Sequence, residues 1–218
     1  MESRETRLYG RRAFLGVTAV GLSSLVWGRA AWDAFVAVSP PGLISGWRIY
    51  TVASTMPRFD PATWRLRIDG LVDAPQSLSY DDVRSLPSAE QVSTFHCVTG
   101  WTVENVHWRG VRFRDLLAAA NPHQDARVLT FTSAEKPYVD TLTLDQANLA
   151  DVMLAYEMDG KPLPREHGAP FRVVIPEMYG YKGVKWVEQI TLGADAEPGY
   201  WEQRGYDQDA WVGRSNGA

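Results

Sequence analysis

The sequence predicts an α+β fold: a single, mixed and β-rich domain. Segments rich in β-branched and aromatic residues recur along the chain, and helix start signals mark only short helices. The 13 prolines and 18 glycines are scattered between these elements, which favours an irregular mixed architecture over a doubly wound sheet. With 218 residues, 45% of them hydrophobic and 22% charged, the chain has the composition of one globular domain with a short appendage.

The first 38 residues are organised like an export signal. Five arginines and three acids flank an uncharged apolar run over 13–28, a layout typical of a signal peptide. Arg11-Arg12-Ala13-Phe14-Leu15 resembles a twin-arginine motif. The run of 16 residues is shorter than the ~20 that span a bilayer, which favours export over a retained membrane anchor, the alternative. We expect residues 1–38 to be a leader read by the twin-arginine (Tat) export machinery, residues 39–218 to be the mature domain, and the protein to be periplasmic.

Strands are predicted where β-branched and aromatic residues concentrate. Along 64–69 apolar and polar residues alternate, so Trp64, Leu66 and Ile68 share one face, as in a half-buried strand. Further strands are predicted over 127–132, 171–175 and 185–192. Asp159-Gly160 between apolar flanks predicts a tight hairpin turn.

The predicted helices are short. Two begin at capping boxes, in which the N-cap hydroxyl and a polar side chain three residues later bond each other's backbone: Ser79-x-x-Asp82 and Thr143-x-x-Gln146. A third helix is predicted over 114–120, with its apolar face made by Leu116, Leu117 and Ala120.

Charge and motifs exclude several functions. The chain has 22 basic and 26 acidic residues, a formal net charge of −4, and contains no basic run, so we expect no nucleic-acid partner. It has no Gly-x-Gly-x-x-Gly or Walker-type loop, which disfavours nicotinamide chemistry and nucleotide hydrolysis. A single cysteine excludes an internal disulfide and a Cys-x-x-Cys motif.

That cysteine, Cys97, ends an apolar stretch just before Gly100. A lone thiol serves as a nucleophile beside a histidine base, as a metal ligand, or as a buried structural residue. A redox switch is disfavoured because no resolving cysteine exists. The available histidines include His96, His107 and His167. The residues alone leave these uses open.

A second cluster joins glycines with cations over 166–186. Gly168, Gly180 and Gly183 permit close approach of the backbone to a ligand. Cationic donors stand near them, a combination suited to holding a phosphate: Arg172, Lys182 and Lys185, with His167 as a further donor. The alternative is a pair of strand-end loops with solvated cations.

Together these segments resemble the molybdopterin-binding domain of the sulfite oxidase family. That family includes the catalytic subunit of the periplasmic protein-methionine-sulfoxide reductase. The resemblance covers roughly residues 47–211 and is carried by five ordered motifs: 64–70, the Cys97 segment, 154–164, 167–172 and 179–186. It implies a sulfite-oxidase-type fold for the mature domain and a Mo-molybdopterin cofactor.

The resemblance also implies roles for individual residues. Cys97 matches the cysteine whose thiolate binds molybdenum, and Tyr206 matches an active-site tyrosine. The other matching positions bind the pterin or the phosphate end of the cofactor: Tyr50, Thr51, Val52, Ser133, His167, Arg172, Gly183, Val184 and Lys185. Apart from these matches, our own candidates for the substrate side of the pocket are Trp101, Thr102, His107 and Tyr206.

The range of expected substrates is narrowed because the residues after Cys97 depart from the pattern of the sulfite oxidases. Sulfite oxidases follow the metal-binding cysteine with paired arginines, whereas this chain has the uncharged Val98-Thr99-Gly100-Trp101-Thr102. Removing two cations from a small anion pocket costs several kcal/mol of charge-assisted hydrogen bonding. We therefore expect oxygen-atom transfer with a small sulfur- or nitrogen-oxide substrate, and electron exchange with a separate partner, a membrane haem protein or a cytochrome c. The alternatives are a sulfite dehydrogenase, a Cys-His acyl-transfer enzyme with Cys97 as nucleophile, and a metal-free binding domain.

Overall fold

The computed structural model describes residues 46–216, and the leader predicted for residues 1–38 lies outside the described residues. The described chain contains ten strands, which in chain order are β1 (Leu66–Gly70), β2 (Gln76–Leu78), β3 (Ser88–His96), β4 (Thr102–Val111), β5 (Val128–Ser133), β6 (Val139–Thr143), β7 (Met153–Met158), β8 (Lys161–Pro162), β9 (Arg172–Val174) and β10 (Val187–Gly193). Its α-helices are α1 (Tyr80–Ser85), α2 (Phe113–Leu117) and α3 (Leu144–Ala147). Single 3₁₀ turns cover Ala118–Ala120, Arg165–His167 and Glu202–Arg204.

The strands form two sheets, and the predicted α+β class is confirmed. The first sheet has the order β2-β1-β10-β5-β6, in which β1 runs parallel to β10 and the other pairs are antiparallel. In the second sheet β3, β4, β7 and β8 are neighbours, and β9 pairs with the first half of β7. The parallel pair within an otherwise antiparallel sheet makes the architecture mixed, as the sequence predicts.

The core lies where both sheets contribute apolar side chains. Ile68 and Phe131 of the first sheet belong to the same buried cluster as Leu154 and Val173 of the second. A smaller cluster around Trp108 packs against the partly buried Trp47. No helix within residues 46–216 is long and apolar enough to cross a membrane.

Short-range signals in the sequence are confirmed. Both predicted capping boxes are formed, at the starts of α1 and α3. In β1 the alternating residues Leu66 and Ile68 are fully buried. Asp159 and Gly160 have φ of 52° and 72°, the left-handed pair that a tight turn between β7 and β8 requires.

The β3–β4 hairpin is absent from the sequence-based prediction. Its residues are largely polar, and β3 is an edge strand on which Val92 is 55% exposed. The pairing shifts between Ser93 and Phe95, which breaks the alternation that identifies a strand. This hairpin matters for function because its turn carries Cys97.

Candidate cofactor-binding site

A cavity of about 450 Å³ gathers most of the candidate residues. Its wall is built from six stretches of chain that are distant in sequence: 47–52, 95–101, 133–138, 166–172, 180–185 and 200–206. They include the end of β3, the end of β5 and the loop between β9 and β10. The two sheets therefore converge on this cavity through their loops.

Cys97 lies in the tight turn that follows β3. Its N–H donates to the carbonyl of Trp101 (2.9 Å), and its carbonyl accepts from the N–H of Gly100 (3.0 Å). Gly100 has φ of 88°, a conformation that favours glycine. The half-buried thiol lies 3.2 Å from the hydroxyl of Thr99 and lines the cavity. The turn thus fixes a sulfur donor in the cavity wall.

Arg172, at the start of β9, is a buried cation facing the same cavity. Its guanidinium has three long contacts with carbonyl oxygens, of His167 (3.5 Å), Gly183 (3.4 Å) and Val173 (3.4 Å). Within residues 46–216 it forms no ion pair with a carboxylate. Burial lowers its pKa to about 10, so the group stays charged at neutral pH. A buried, weakly satisfied cation of this kind is suited to an anionic ligand.

Lys185 is the second cation of the wall. Its ammonium donates to the carbonyl oxygens of Tyr50 (2.7 Å) and Glu166 (3.3 Å) and lies 4.1 Å from the ring centroid of Trp186. Burial first, and then the positive charge of Arg172, lower its pKa to about 8. In the described part of the chain it too has no ion-paired carboxylate.

His167 provides hydrogen bonding rather than charge. It is buried, and its ring meets the indole of Trp47 edge-on at 4.6 Å. Burial, with the nearby charge of Arg172, lowers its pKa to about 4, so the imidazole is neutral at physiological pH. Since a neutral imidazole both donates and accepts, His167 suits the polar edge of a ring system better than a phosphate.

Ser133, at the end of β5, supports the cation wall. Its hydroxyl donates to the carbonyl of Lys185 (2.7 Å) and accepts from the N–H of Glu135 (2.9 Å). The carboxylate of Glu135 in turn accepts from the N–H groups of Val52 (2.8 Å) and Ala53 (3.3 Å). This chain of bonds ties the N-terminal segment 47–57, which we call the strap, to the cavity.

The strap supplies Tyr50, Thr51 and Val52 to the cavity wall. Side chains from elsewhere hold it by its backbone: Glu135 and Lys185 by the contacts above, and Arg165 through its hydrogen bonds to the carbonyls of Met56 and Pro57. Within residues 46–216 the strap belongs to neither sheet. Its first residue, Trp47, is held in addition by ring contacts with Phe95, Trp101, Trp108 and His167.

Tyr206 reaches the cavity from the C-terminal side. Its ring packs edge-on against Trp201 (5.2 Å) and Tyr181 (5.4 Å), and all three line the cavity. Tyr206 is half-buried, so the packed ring remains partly accessible.

Four of the sequence-predicted residues lie elsewhere. Val184 is fully buried in the core. Thr102 and His107 are both exposed on β4. Regular alternation would place them on opposite faces, but it is interrupted at Asn105, which has φ of 56°. Lys182 is not an anion donor, because its ammonium is bonded to Asp140 and Glu202. Trp101, by contrast, lines the cavity.

The glycines of this segment permit close packing within the protein. A Cβ on Gly168 would lie 2.9 Å from the side chain of Lys185, and one on Gly180 would lie 2.1 Å from the ring of Phe95. A Cβ on Gly183 would lie 3.0 Å from the carbonyl oxygen of Val173 and 3.1 Å from the guanidinium of Arg172. Gly180 and Gly183 also line the cavity, where the predicted close approach of the backbone to a ligand stays a prediction.

Two polar residues of the wall have no signal in the sequence. Glu135 is buried, and Tyr138 donates its hydroxyl to the carbonyl of Tyr181 (2.5 Å). Burial raises the pKa of Tyr138, so the phenol stays protonated. Both residues follow β5 in a loop whose partners are more than 40 residues distant, which no local pattern reveals.

The lining tests whether a molybdopterin fits. That group needs a thiolate donor to its metal, cations for its phosphate and neutral polar groups for its ring edges. Cys97 provides the first, Arg172 and Lys185 the second, and His167 the third, all in one cavity. The residues fit the group. The cavity therefore has the donors that an anionic, metal-bearing cofactor would need.

Comparisons with known proteins agree with a molybdopterin-binding site. Residues 53–201 match the family model described as the oxidoreductase molybdopterin binding domain, and the chain belongs to this family. It is 39% identical over 155 residues to the uncharacterized oxidoreductase YuiH of Bacillus subtilis (strain 168), covering 70% of this chain and 77% of that protein. It is 32% identical over 178 residues to the sulfite oxidase of Arabidopsis thaliana, covering 66% of this chain and 45% of that protein.

A solved structure extends the likeness to the fold. The sulfane dehydrogenase SoxCD from Paracoccus pantotrophus superposes with a TM-score of 0.61 at 25% identity, covering 66% of this chain and 41% of that one. The chain thus spans less than half the length of the sulfite oxidase and of the SoxCD chain. The protein is a molybdopterin-binding oxidoreductase, an enzyme of the sulfite oxidase family.

Proposed function

We propose that this enzyme carries a molybdenum cofactor, catalyses oxygen-atom transfer with a small sulfur- or nitrogen-oxide substrate, and exchanges electrons with a separate haem protein. The observation that carries the proposal is that one cavity is lined by the Cys97 thiol and by two cations, Arg172 and Lys185. Neither cation is ion-paired with a carboxylate within residues 46–216. When bound, the cofactor supplies the two-electron redox chemistry and the oxygen transfer.

The chain's own residues would then bind the cofactor and orient it and the substrate. The Cys97 thiolate is the protein ligand of the metal, and Arg172 and Lys185 neutralise the phosphate through charge-assisted hydrogen bonds. Neutral His167 bonds the edge of the pterin. Tyr206 donates a hydrogen bond or a proton from its hydroxyl to an oxygen on the substrate side.

The substrate preference follows from the groups next to the thiol. Val98, Thr99 and Trp101 line the cavity beside Cys97 and carry no charge. A neutral oxide loses less by binding there than a dianion, whose desolvation is uncompensated. The named activities of two similar proteins, sulfite oxidase and sulfane dehydrogenase, support a sulfur-containing substrate.

Sulfite is the second candidate, and Arg48 is the observation that favours it. This exposed arginine of the strap also lines the cavity and would offer one cation to an anion at its mouth. If sulfite is the substrate, Arg48→Gln raises KM for sulfite about tenfold, as expected for one charge-assisted hydrogen bond. A neutral oxide gives no such change.

An acyl-transfer enzyme and a metal-free binding domain receive less support. Acyl transfer needs an imidazole bonded to the nucleophile, but within residues 46–216 the thiol of Cys97 is hydrogen-bonded to the Thr99 hydroxyl. A metal-free binding domain would have no use for the two cavity cations, Arg172 and Lys185, which have no ion-paired carboxylate within residues 46–216.

Periplasmic location through the Tat machinery is part of the proposal, because that pathway exports folded proteins and the cofactor would be inserted before export.

Metal analysis tests the proposal. The full chain is produced in a host supplied with molybdate, and molybdenum is measured in wild type and in Cys97→Ser. We expect about one molybdenum atom per wild-type chain and a large loss in the variant. Low molybdenum in wild type, or full occupancy in Cys97→Ser, contradicts it.

Loaded protein is then reduced or oxidised with sulfite, sulfoxides and N-oxides, and its visible absorption shows which compound reacts.

A further inference from the structure

Behind the cavity wall a buried lysine joins two carboxylates. The ammonium of Lys182 lies 2.6 Å from Oδ1 of Asp140, 2.6 Å from Oε1 of Glu202 and 3.0 Å from the carbonyl of Thr141. The side chains of Lys182 and Asp140 are each 1% exposed, and that of Glu202 is 4% exposed. The three donors of the ammonium are therefore all used, in three fixed directions.

These three residues come from separate parts of the fold. Asp140 belongs to β6 of the first sheet, Lys182 to the loop between β9 and β10, and Glu202 to the 3₁₀ turn Glu202–Arg204. Tyr181, next to Lys182, lines the cavity. The ion pairs thus fasten a cavity loop and the C-terminal segment to one strand.

The C-terminal segment carries Trp201 and Tyr206 to the cavity. The N–H of Tyr206 donates to the carbonyl of Trp201 (3.2 Å), which closes the turn that begins at Glu202. Because Glu202 begins this short 3₁₀ turn, its carboxylate ties the turn, through Lys182, to the strand of Asp140 at a point between the two rings of Trp201 and Tyr206.

The segment passes directly over the ion pairs. A Cβ on Gly199 would lie 2.5 Å from Oε2 of Glu202 and 2.9 Å from the carboxyl carbon of Asp140. Just beyond, the N–H of Tyr200 donates to the carbonyl of Val139 (2.8 Å). The backbone and the ion pairs therefore fit together without spare room.

We infer that Lys182 and Glu202 are positioning residues, whose buried ion pair holds Trp201 and Tyr206 in the cavity wall. The inference rests on the proposed function for the use that the enzyme makes of Tyr206. Oδ2 of Asp140 and Oε2 of Glu202 have no hydrogen-bond partner among the described residues, so the cluster is incompletely satisfied. Apolar side chains in place of the ion pair would stabilise the fold without the desolvation cost of buried charges. What the ion pair adds is a fixed direction for the contact between Lys182 and Glu202.

Fluorine NMR of the full chain tests the inference. The protein is labelled with 3-fluorotyrosine, and among its nine tyrosines the resonance of Tyr206 is identified by its loss in Tyr206→Phe. Glu202→Met keeps the side-chain volume but removes the acceptor, leaving Lys182 paired with Asp140 in a neutral cluster. We expect the Tyr206 resonance to move toward that of free fluorotyrosine, and amide exchange over 200–207 to rise about tenfold or more. The resonance of Tyr156, buried in β7, should stay in place.

Matched variants separate positioning from general stability. Glu202→Gln retains an oxygen that accepts from Lys182, so it should keep the wild-type resonance. Glu188→Met breaks a partly exposed ion pair with Lys136 and should change nothing at Tyr206. If Glu202→Met does not fold, Gly199→Ala, which presses a methyl group against the Glu202 carboxylate, should shift the same resonance. An unmoved Tyr206 resonance and unchanged exchange in the folded variant overturn the inference.

Metal content and turnover separate this inference from the proposed function. If wild type binds no molybdenum but Glu202→Met shifts the Tyr206 resonance, the positioning role is supported and the proposed function is contradicted. If wild type binds a full complement of molybdenum but Glu202→Met leaves the resonance unmoved, the proposed function is supported and the positioning role is contradicted. In loaded enzyme we expect Glu202→Met to lower kcat, and Glu202→Met combined with Tyr206→Phe to lower it no further than Tyr206→Phe alone, because both changes act through one hydroxyl.

Discussion

Lys185 and Arg172 line the same cavity, and partial burial together with the positive charge of Arg172 lowers the pKa of Lys185 from 10.5 to about 8. Two like charges in one cavity wall, neither ion-paired with a carboxylate within residues 46–216, are unfavourable for the protein alone. The same arrangement is favourable once an anion binds to both. Under the proposed function, the apoprotein gives up some stability at these two residues in return for binding the phosphate of the cofactor.

The pH dependence of apoprotein stability should reveal this cost. Lys185 has a lowered pKa in the folded state, so between about pH 8 and 10.5 the unfolded chain binds more protons and the contribution of Lys185 to stability rises with pH. We expect the unfolding free energy of wild type, relative to Lys185→Met, to increase from pH 7 to pH 9.5 in urea titrations. The exposed Lys161 offers the control Lys161→Met, for which the difference should be flat. Parallel curves for Lys185→Met would contradict the shift.

Arg172 should govern cofactor retention. Replacing it by glutamine removes a buried charge from the phosphate end, and a charge-assisted hydrogen bond is worth about 1.5–3 kcal/mol. We expect Arg172→Gln to hold the cofactor roughly tenfold or more weakly, measured as pterin and molybdenum released on dialysis. Arg67→Gln, an exposed arginine on β1 bonded to Gln189, is the matched control and should retain the cofactor fully. Equal release from the two variants would remove Arg172 from the site.

The strap should loosen when its acceptor is lost. Glu135 accepts from the N–H groups of Val52 and Ala53, and each such bond contributes about 1 kcal/mol. In Glu135→Leu we expect trypsin to cleave several times faster after Arg48 and Arg58, which lie at the two ends of the strap, with the fragments identified by mass spectrometry. Glu188→Leu, in the partly exposed ion pair with Lys136, should leave the cleavage rate unchanged. Unaltered cleavage in Glu135→Leu would show that other contacts hold the strap.

Lys182 and Lys185 show where prediction from the sequence ends. They lie three residues apart in one glycine-rich segment, and the sequence assigns both to an anion. The structure buries Lys182 between Asp140 and Glu202, 42 and 20 residues away, and leaves only Lys185 of the two in the cavity wall. No local pattern distinguishes the two, because the partners that decide between them are brought together only by the packing of the chain.

The fold shows the same division between local and distant interactions. The capping boxes and the Asp159-Gly160 turn are predicted correctly because their bonding partners lie within a few residues. The β3–β4 hairpin is missed because it depends on pairing across a shifted register. At the site, Thr102 and His107 are candidates for the substrate side of the pocket, whereas the structure exposes both on β4, where an interruption at Asn105 breaks the regular alternation of the strand.

Asp140 should make stability depend on pH in the opposite direction to Lys185. Burial raises its pKa from 3.8 to about 7, so the folded state holds a proton that the unfolded chain releases. The contribution of this group is fully present below about pH 4 and is lost as the pH rises through 7. In Asp140→Asn the amide oxygen still accepts from Lys182 but no longer titrates. We expect the melting temperature of wild type to fall by a few degrees relative to Asp140→Asn between pH 4.5 and 7.5, measured by circular dichroism.

The control for Asp140 is a solvent-exposed carboxylate of the same chain. Asp125 is exposed, so Asp125→Asn should melt in parallel with wild type across the same pH range. The cluster around Asp140 also faces Tyr138, Tyr181 and the second carboxylate Glu202, none of which is replaced in Asp140→Asn. A difference that appears only for Asp140→Asn therefore assigns the titration to the ion pairs behind the cavity. Parallel melting of wild type and Asp140→Asn would mean that the buried carboxyl is already ionised at pH 4.5, with Lys182 compensating its burial in full.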